Sequence, residues 1–306
     1  MSTEPLFADA KGREVARPEF GGPVADTHAH LDMLKDPAGA LSFAARAGVG
    51  FVATVTDPTE NAHRTYAELD DWLAAAGAEL AVATAAAASG PDSAPPVAPP
   101  APPRVRVVMG VHPHNAKDFS AQIEEQMRRF ASDPRTAAIG EIGLDFHYDY
   151  SPHETQRAVF RRQLELAHEL DLPAVVHLRE AHDDGEAILR EVGLPPAGCI
   201  LHCYNLGLEP LARFLDLGCY VSFAGPVTFK KADEVREAAA SVPLDRILTE
   251  TDCPFMAPEP FRGRKNEPAY VVFTAARVAD ARGEQLPDFA AAAYGNALRV
   301  LDRGRS

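Results

Sequence analysis

Two histidines, His28 and His30, stand one residue apart after a short apolar run near the start of the chain. In a β-strand this spacing points both imidazoles to the same face, where they can bind one metal ion. Single acidic or imidazole side chains also interrupt or follow several later apolar runs, where an unpaired charge would cost several kcal/mol. Together these residues are His28, His30, Glu141, His177, His202 and Asp252.

Each of these residues has an ordinary structural explanation when it is taken alone. A buried histidine is more often hydrogen-bonded in a core than bound to metal, and an aspartate at a strand end commonly caps a helix. In combination they offer six nitrogen and oxygen ligands, a mixture that borderline and hard divalent ions accept. The set therefore predicts two adjacent ions bridged by a carboxylate.

Glu141 is the predicted bridge, because it lies inside an apolar, glycine-flanked run and needs a cationic partner there. We expect one ion to be held by His28, His30 and Asp252. The second ion is then assigned to His177 and His202.

Eight short apolar runs alternate with amphipathic segments of helical length, and the six residues lie in five of these runs or directly after them. In residues 154–170, for example, Val159, Phe160 and Leu164 form an apolar stripe. The alternation predicts an α/β fold, a TIM-like (β/α)8 barrel with its metal site at the C-terminal ends of the strands. The predicted strands are 24–32, 51–57, 105–112, 137–145, 174–179, 199–204, 220–224 and 247–251.

Composition and charge limit the classes of protein that fit. A chain of 306 residues with 46% hydrophobic residues can build one large barrel core. A net charge of -14 argues against general attraction to nucleic acid, since phosphates are held by Lys and Arg. Any nucleic-acid substrate must therefore be bound by residues at one local site, and not by the charge of the whole surface.

The start of the chain and the cysteines predict a cytoplasmic protein. Residues 1–22 contain no apolar segment typical of a signal peptide, and no run approaches the length of a membrane span. The four cysteines lack the CxxC spacing of a metal or redox site, so we expect reduced core thiols. The sequence indicates no membrane partner and no obligate protein partner.

One segment breaks the alternation of strands and helices. Residues 74–103 contain thirteen Ala and seven Pro; the Ala-rich half can extend a helix, but the Pro-rich half cannot. We interpret it as a tolerated surface insertion rather than a lid or a docking loop, because it carries almost no charge and no aromatic residue. The predicted organisation is an N-terminal extension, 1–22, and a single hydrolase domain, 23–303, with an insertion at about 74–103.

A series of short motifs runs in order through residues 24–300. They are Asp26-Thr27-His28-Ala29-His30-Leu31, Gly110-Val111-His112-Pro113-His114, Gly140-Glu141-Ile142-Gly143-Leu144-Asp145, His177-Leu178-Arg179, His202-Cys203-Tyr204, Ser222-Phe223-Ala224-Gly225, Glu250-Thr251-Asp252-Cys253-Pro254 and Arg262-Gly263-Arg264-Lys265-Asn266-Glu267-Pro268. In this order they resemble the motifs of the TatD-type metal-dependent hydrolases, within the amidohydrolase-like TIM-barrel superfamily.

The resemblance implies a barrel with a divalent-metal centre, and it places the family's ligands on the same six residues. It also implies phosphodiester hydrolysis, since several family members are Mg-dependent deoxyribonucleases. We therefore predict an exonuclease-like deoxyribonuclease with two divalent ions per chain, Mg, Zn or Mn, and DNA or another phosphodiester as its substrate. Glu141 is expected to bridge the ions, and Asp252 to orient or deprotonate a metal-activated water.

One departure from the family pattern follows the sixth predicted strand. Asn205 and Leu206 precede Gly207, where the family usually has a small residue and a glycine directly. The difference concerns the shape of that loop, and hence the fit of the substrate, and leaves the predicted ligands unchanged.

Four residues are candidates for substrate contacts, and each has an alternative role. His112 can hydrogen-bond a phosphate or support a ligand, and Arg179 can pair with a phosphate or with a carboxylate at the barrel mouth. Arg262 and Arg264 belong either to a basic substrate patch or to a solvated loop.

Two other functions fit the sequence. The same strand positions carry hydrolysis of small esters, lactones or amides in related barrels, and the acidic net charge suits a small substrate equally well. A non-enzymatic metal-binding or scaffolding protein is the third possibility, and the complete ligand set argues against it.

Overall fold

The computed structural model describes residues 5–88 and 100–303. Eight parallel strands form one sheet in chain order, and a bridge between Ala29 and Cys253 joins its first strand to the segment that follows its last. The sheet is thereby a nearly closed barrel, which confirms the predicted (β/α)8 fold. The strands are β1 (Val24–Ala29), β2 (Val49–Thr56), β3 (Arg104–Met109), β4 (Thr136–Asp145), β5 (Ala174–Arg179), β6 (Cys199–Leu201), β7 (Tyr220–Phe223) and β8 (Ile247–Thr249).

Helices alternate with these strands and surround the barrel. Their ends follow local sequence signals: in the first helix Asp36 caps the N-terminus, accepting from the Gly39 N–H at 3.0 Å, and Gly48 ends it in the left-handed conformation. The helices of the described chain are α1 (Pro37–Ala47), α2 (Ala62–Ala88), α3 (Ala121–Ala131), α4 (His153–Glu169), α5 (His182–Val192), α6 (Leu208–Leu217), α7 (Asp233–Ser241), α8 (Val271–Arg282) and α9 (Leu286–Leu301). None of these helices is long and apolar enough to cross a membrane.

The last helix closes the end of the barrel opposite the candidate site. Ala297, Val300 and Leu301 of α9 form one buried apolar cluster with strand residues that include Phe51 and Val175. Burial of these side chains stabilises the closed barrel. The carboxyl ends of the strands remain available for polar side chains, as in other TIM barrels.

Six strands end one to three residues earlier than the sequence predicts, and at β6 and β8 the early end positions a predicted ligand. The predicted ends were residue 204 for β6 and residue 251 for β8, whereas the observed ends are Leu201 and Thr249. Just beyond them Cys203 and Asp252 have φ values of 48° and 55°, which no extended strand accommodates. The chain leaves the strand ladder here and turns His202 and Asp252 toward the barrel mouth.

The N-terminal extension packs on the outside of the barrel near α1 and α8. Phe7 is 2% exposed and lies with its ring centroid 5.2 Å from Phe43, 6.0 Å from Phe261 and 4.9 Å from Phe273. In the region of the predicted insertion, α2 continues into the Ala-rich half as far as Ala88. Most of the Pro-rich half, residues 89–99, lies outside the described residues.

Candidate metal centre

The six predicted ligands come from five strands or from the turns that directly follow them. Their shared feature is a position toward the carboxyl ends of the strands, inside the barrel mouth. His28 belongs to β1 and His30 follows it, Glu141 belongs to β4, His177 to β5, His202 follows β6, and Asp252 follows β8.

Glu141 lies between two pairs of histidines. Its Oε1 is 2.7 Å from His177 Nδ1 and 2.8 Å from His202 Nε2. Its Oε2 is 3.2 Å from His28 Nε2 and 3.9 Å from His30 Nε2. The two oxygens of this buried carboxylate therefore face different pairs of histidines, the arrangement that the predicted bridging role requires.

Asp252 lies on the side of His28 and His30. Its Oδ1 is 3.4 Å from His30 Nε2 and 3.8 Å from His28 Nε2. The grouping matches the predicted division, in which these three residues hold one ion. The assignment of ligands itself stays a prediction.

A small residue beside Glu141 allows β4 and β5 to approach each other. A Cβ added to Gly140 would lie 2.6 Å from the Cβ of Val175 in β5, closer than side-chain carbons pack. Gly140 pairs with Val175, and Gly143 pairs with His177, across the two strands. This close approach brings Glu141 against His177.

The chemistry of this donor set fits divalent cations. Both ring nitrogens of His28 are buried without a hydrogen-bond partner, since the 3.2 Å approach to Glu141 lacks hydrogen-bond geometry. A buried polar group without a partner is costly, and a cation would satisfy it. The ligand atoms of His28, His30 and Glu141, and separately those of His112, Glu141 and His177, lie within 4.8 Å of one another.

Electrostatics favour the metal-binding form at some of the donor atoms. Burial lowers the pKa of His28, and it lowers the pKa of His112 to about 4, so both rings are neutral near pH 7. At His30, His177 and His202 the neighbouring carboxylates outweigh burial and raise the pKa, so these rings must lose a proton to bind a metal ion.

Burial alone would raise the pKa of Glu141, but the surrounding histidines, His202 foremost, hold it well below its ordinary value. For Asp252 burial likewise raises the pKa, but the hydrogen bond with His30 and the charges of His28 and His202 together outweigh it, and the pKa is lowered. Neutral imidazoles and ionised carboxylates are the metal-binding species.

Glu250 is a buried acidic residue that sequence reasoning did not single out. It is 0% exposed, and its Oε1 lies 3.1 Å from His202 Nδ1. Histidines that bind metal commonly use their second ring nitrogen to contact such a carboxylate. Its position two residues before Asp252, at a strand end, was the available sequence signal.

Asp145 supports the other side of the centre and was likewise given no role. Its Oδ2 lies 3.3 Å from His177 Nε2 and 2.9 Å from His114 Nε2. His177 is thus held between Glu141 and Asp145. Asp145 ends the fourth strand, as predicted, and only the fold shows which histidines it meets.

Comparison with known proteins identifies the family. Residues 25–302 match the family described as TatD related DNase. The chain belongs to the TatD family. It is a metal-dependent hydrolase of that family, and the predicted resemblance is confirmed.

Similarity to individual proteins agrees with the assignment of this chain to the TatD family. It is 39% identical over 197 residues, 64% of its length, to the uncharacterized metal-dependent hydrolase YabD of Bacillus subtilis, of which it covers 77%. It is 40% identical over 187 residues, 59% of its length, to a Pantoea vagans protein named 3'-5' ssDNA/RNA exonuclease TatD, of which it covers 72%. A crystal structure of YjjV, a TatD homolog from Escherichia coli, superposes with a TM-score of 0.76 at 27% identity, covering 91% of this chain and 98% of that one.

Two of the residues predicted to contact substrate in this TatD-family chain lie in different surroundings. His112 Nε2 lies 3.5 Å from Glu141 Oε1, within the histidine cluster itself. Arg179 is exposed, and its guanidinium carbon lies 4.8 Å from the centroid of the Tyr148 ring. Their substrate contacts stay predictions.

The basic cluster after β8 makes contacts of its own. The Arg262 guanidinium carbon lies 4.4 Å from the centroid of the Phe229 ring, and Arg264 Nη1 donates to the Ala8 carbonyl at 2.6 Å. Among the described residues, neither arginine forms an ion pair with a predicted ligand.

Proposed function

We propose that this TatD-family hydrolase cleaves phosphodiester bonds of DNA as an exonuclease, using two divalent ions, Mg, Zn or Mn. The observation that carries the proposal is the position of Glu141, whose two oxygens face separate pairs of histidines. Two-metal sites are common among enzymes that hydrolyse phosphate esters. The relative named as a ssDNA/RNA exonuclease supports the same substrate class.

In this proposal one ion would be held by His28, His30 and Asp252 and the other by His177 and His202, and Glu141 would contribute to both. Bound divalent ions lower the pKa of water and stabilise the charge that develops on phosphoryl oxygens. The remaining tasks belong to the side chains of the protein.

Asp252 is the proposed general base. Its lowered pKa keeps it ionised near neutral pH, so its carboxylate can accept a hydrogen bond from the attacking water and orient it. His202 is positioned by Glu250, and His177 by Asp145. These fixed contacts hold the ring nitrogens in place before the substrate binds, which reduces the reorganisation needed during the reaction.

The wider setting is part of the proposal. We assign residues 1–22 to an extension and 23–303 to one hydrolase domain with an insertion at about 74–103. We propose a cytoplasmic location, with DNA as the partner and no obligate protein partner. The described cysteines are free thiols, in keeping with a reducing compartment.

A metal-by-substrate screen tests the function. The wild-type protein is assayed for nucleotide release from single-stranded DNA with Mg, Mn and Zn, and in parallel for hydrolysis of carboxylic esters, lactones and amides. We expect nucleotide release, and loss of about a hundredfold or more of turnover in Asp252→Asn with an unchanged circular dichroism spectrum.

The matched control is Asp245→Asn, an exposed aspartate at the opposite end of β8, which should retain wild-type turnover. Turnover of acyl substrates with inert DNA would select the alternative function, a hydrolase of small esters, lactones or amides. Undiminished nuclease activity in Asp252→Asn would remove Asp252 from the mechanism.

A further inference from the structure

We infer that Tyr148 and Tyr150, on the loop between β4 and α4, form a platform on which bases of a single-stranded nucleic acid stack. The inference rests on the proposed function and names how that substrate is held. It identifies the ligand as an unpaired nucleobase beside the phosphate that reaches the metal centre.

The two tyrosines form an exposed, ordered pair. Their ring centroids are 5.5 Å apart with planes 8° from parallel, the offset stacking that aromatic rings prefer. Tyr148 is 39% exposed and Tyr150 is 57% exposed. The pair therefore presents accessible aromatic surface in a preformed arrangement. Because the rings already hold this arrangement, few side chains lose conformational freedom when a base stacks on them.

Direct contacts join this pair to the metal centre. The ring of His114 meets both tyrosines edge-on, with its centroid 5.5 Å from that of Tyr148 and 4.8 Å from that of Tyr150. His114 is 2.9 Å from Asp145, and Asp145 is 3.3 Å from His177. Two side chains, those of His114 and Asp145, thus connect the platform to His177, a proposed ligand.

Charge alone provides little attraction for a nucleic acid on this protein. The chain carries a net charge of -14, and phosphate backbones are bound by Lys and Arg, which neutralise the phosphates and release their counterions into solution. The Arg264 side chain already donates to the Ala8 carbonyl, and Arg262 lies over Phe229. Stacking is independent of the protein's net charge and tolerates every base, so it can supply the missing affinity.

Arg179 adds one cation at the platform itself. Its guanidinium carbon lies 4.8 Å from the centroid of the Tyr148 ring, within the range of a cation–π contact. A planar guanidinium held against the ring can pair with a phosphate oxygen of the nucleotide whose base is stacked. The local arrangement matches both halves of a nucleotide.

A further exposed aromatic ring lies on the side of the centre opposite the two tyrosines. Phe255 is 50% exposed, and its ring centroid is 6.0 Å from that of His30 at an angle of 75°. His30 and His177 face opposite oxygens of Glu141. Aromatic surface therefore flanks both sides of the proposed ligand set, as expected for a strand that crosses it with its bases unpaired.

The test measures binding separately from cleavage. Fluorescence anisotropy of a labelled single-stranded oligodeoxythymidylate is followed on the full chain carrying Asp252→Asn, with Mg²⁺, so that the probe stays intact. Adding Tyr150→Ala should weaken binding about tenfold, at low and at high salt alike. Tyr150→Trp should restore it, and the exposed, distant Leu244→Ala should leave it unchanged.

An oligonucleotide of the same length with abasic positions provides the second arm. It should bind weakly and be insensitive to Tyr150→Ala. In the cleaving enzyme, Tyr150→Ala should raise KM for the base-containing strand and leave kcat within about twofold, since stacking contributes to binding and not to the chemical step. Thermal melting of each variant separates loss of binding from loss of folding.

The outcomes distinguish this inference from the proposed function. Tyr150-dependent binding of base-containing strands without nucleotide release under any metal would refute the nuclease proposal and support the platform. Nucleotide release with equal binding by Tyr150→Ala and its parent would refute the platform alone. Absence of any single-strand binding would also overturn it.

Discussion

The carboxylate of Glu250 lies 3.1 Å from Nδ1 of His202, the ring nitrogen opposite the one that faces Glu141. The same oxygen accepts the backbone N–H of Cys203 at 2.8 Å, which fixes its position. The opposite ring nitrogen, Nε2, is 2.8 Å from Glu141. A proton held on Nδ1 by Glu250 leaves the lone pair of Nε2 available for a metal ion.

Replacement of Glu250 by glutamine should weaken metal binding without removing a ligand. The neutral amide no longer favours the tautomer that presents Nε2, and such changes typically cost about tenfold to a hundredfold in metal affinity. Isothermal titration of the metal-free protein with Zn²⁺ or Mn²⁺ measures the effect. Glu259→Gln, an exposed glutamate in the same loop region, is the control; equal affinity in both variants would show that Glu250 does not position His202.

Replacement of Glu141 by glutamine should reduce the metal content of the purified protein. If one carboxylate bridges both ligand groups, its loss affects both ions, and we expect metal content to fall from about two ions per chain to below one. Inductively coupled plasma mass spectrometry gives the stoichiometry. A variant that keeps the wild-type content would contradict the bridging role, whatever its activity.

Removal of metal should lower the thermal stability of the protein. The ring nitrogens of His28 are buried and unpaired without an ion, and a ligand at a hundredfold excess over its Kd stabilises the folded state by about 2.7 kcal/mol. That corresponds to a loss of roughly 5 °C in Tm for a chain of this size. Calorimetry with a chelator, followed by metal re-addition, checks it; an identical Tm in both states would argue against ions at this centre.

Truncation of Phe7 should destabilise the whole chain, although the residue precedes the family match at residues 25–302. Phe7 is buried against Phe43, Phe261 and Phe273, and Phe→Ala changes in such settings cost about 3 kcal/mol or more. Urea denaturation measures the loss. The exposed Lys11→Ala should match wild type, and a Phe7→Ala variant of wild-type stability would show that the extension is detachable.

Glu124 should contribute stability that depends on pH. Hydrogen bonds from Arg162, followed by those from Arg128, lower its pKa to about 2. A depressed carboxyl pKa stabilises the fold above the unfolded value of about 4.3, and this contribution is lost as the pH falls toward 2. Glu124→Gln should therefore be less stable than wild type near pH 6, with a gap that narrows below about pH 4.

Urea midpoints across this pH range provide the measurement for Glu124. Glu125→Gln, whose partner Arg129 is 3.7 Å away and largely exposed, is expected to show little difference at any pH. A gap between Glu124→Gln and wild type that stays constant with pH would assign the effect to packing instead of charge.

The sequence alone determined the fold class and the positions of the candidate ligands. Polar residues such as Glu141 and His177 interrupt runs that are otherwise apolar. Because a strand has a characteristic hydrophobic pattern, such interruptions can be recognised in the sequence without a structure. The alternation of strands and helices then leaves few topologies, because parallel strands joined by right-handed crossovers close into a barrel.

The tertiary structure alone decided which groups meet across that barrel. Sequence order did not show that Glu250 supports His202, that His112 lies against Glu141, or that Arg264 is tied to the N-terminal extension through Ala8. The residues of these pairs are 29 to 256 positions apart in the chain, from His112 and Glu141 to Ala8 and Arg264. The distances within these pairs depend on the register of the strands and on the residues at which β6 and β8 end. A local sequence pattern determines neither the register nor these end points.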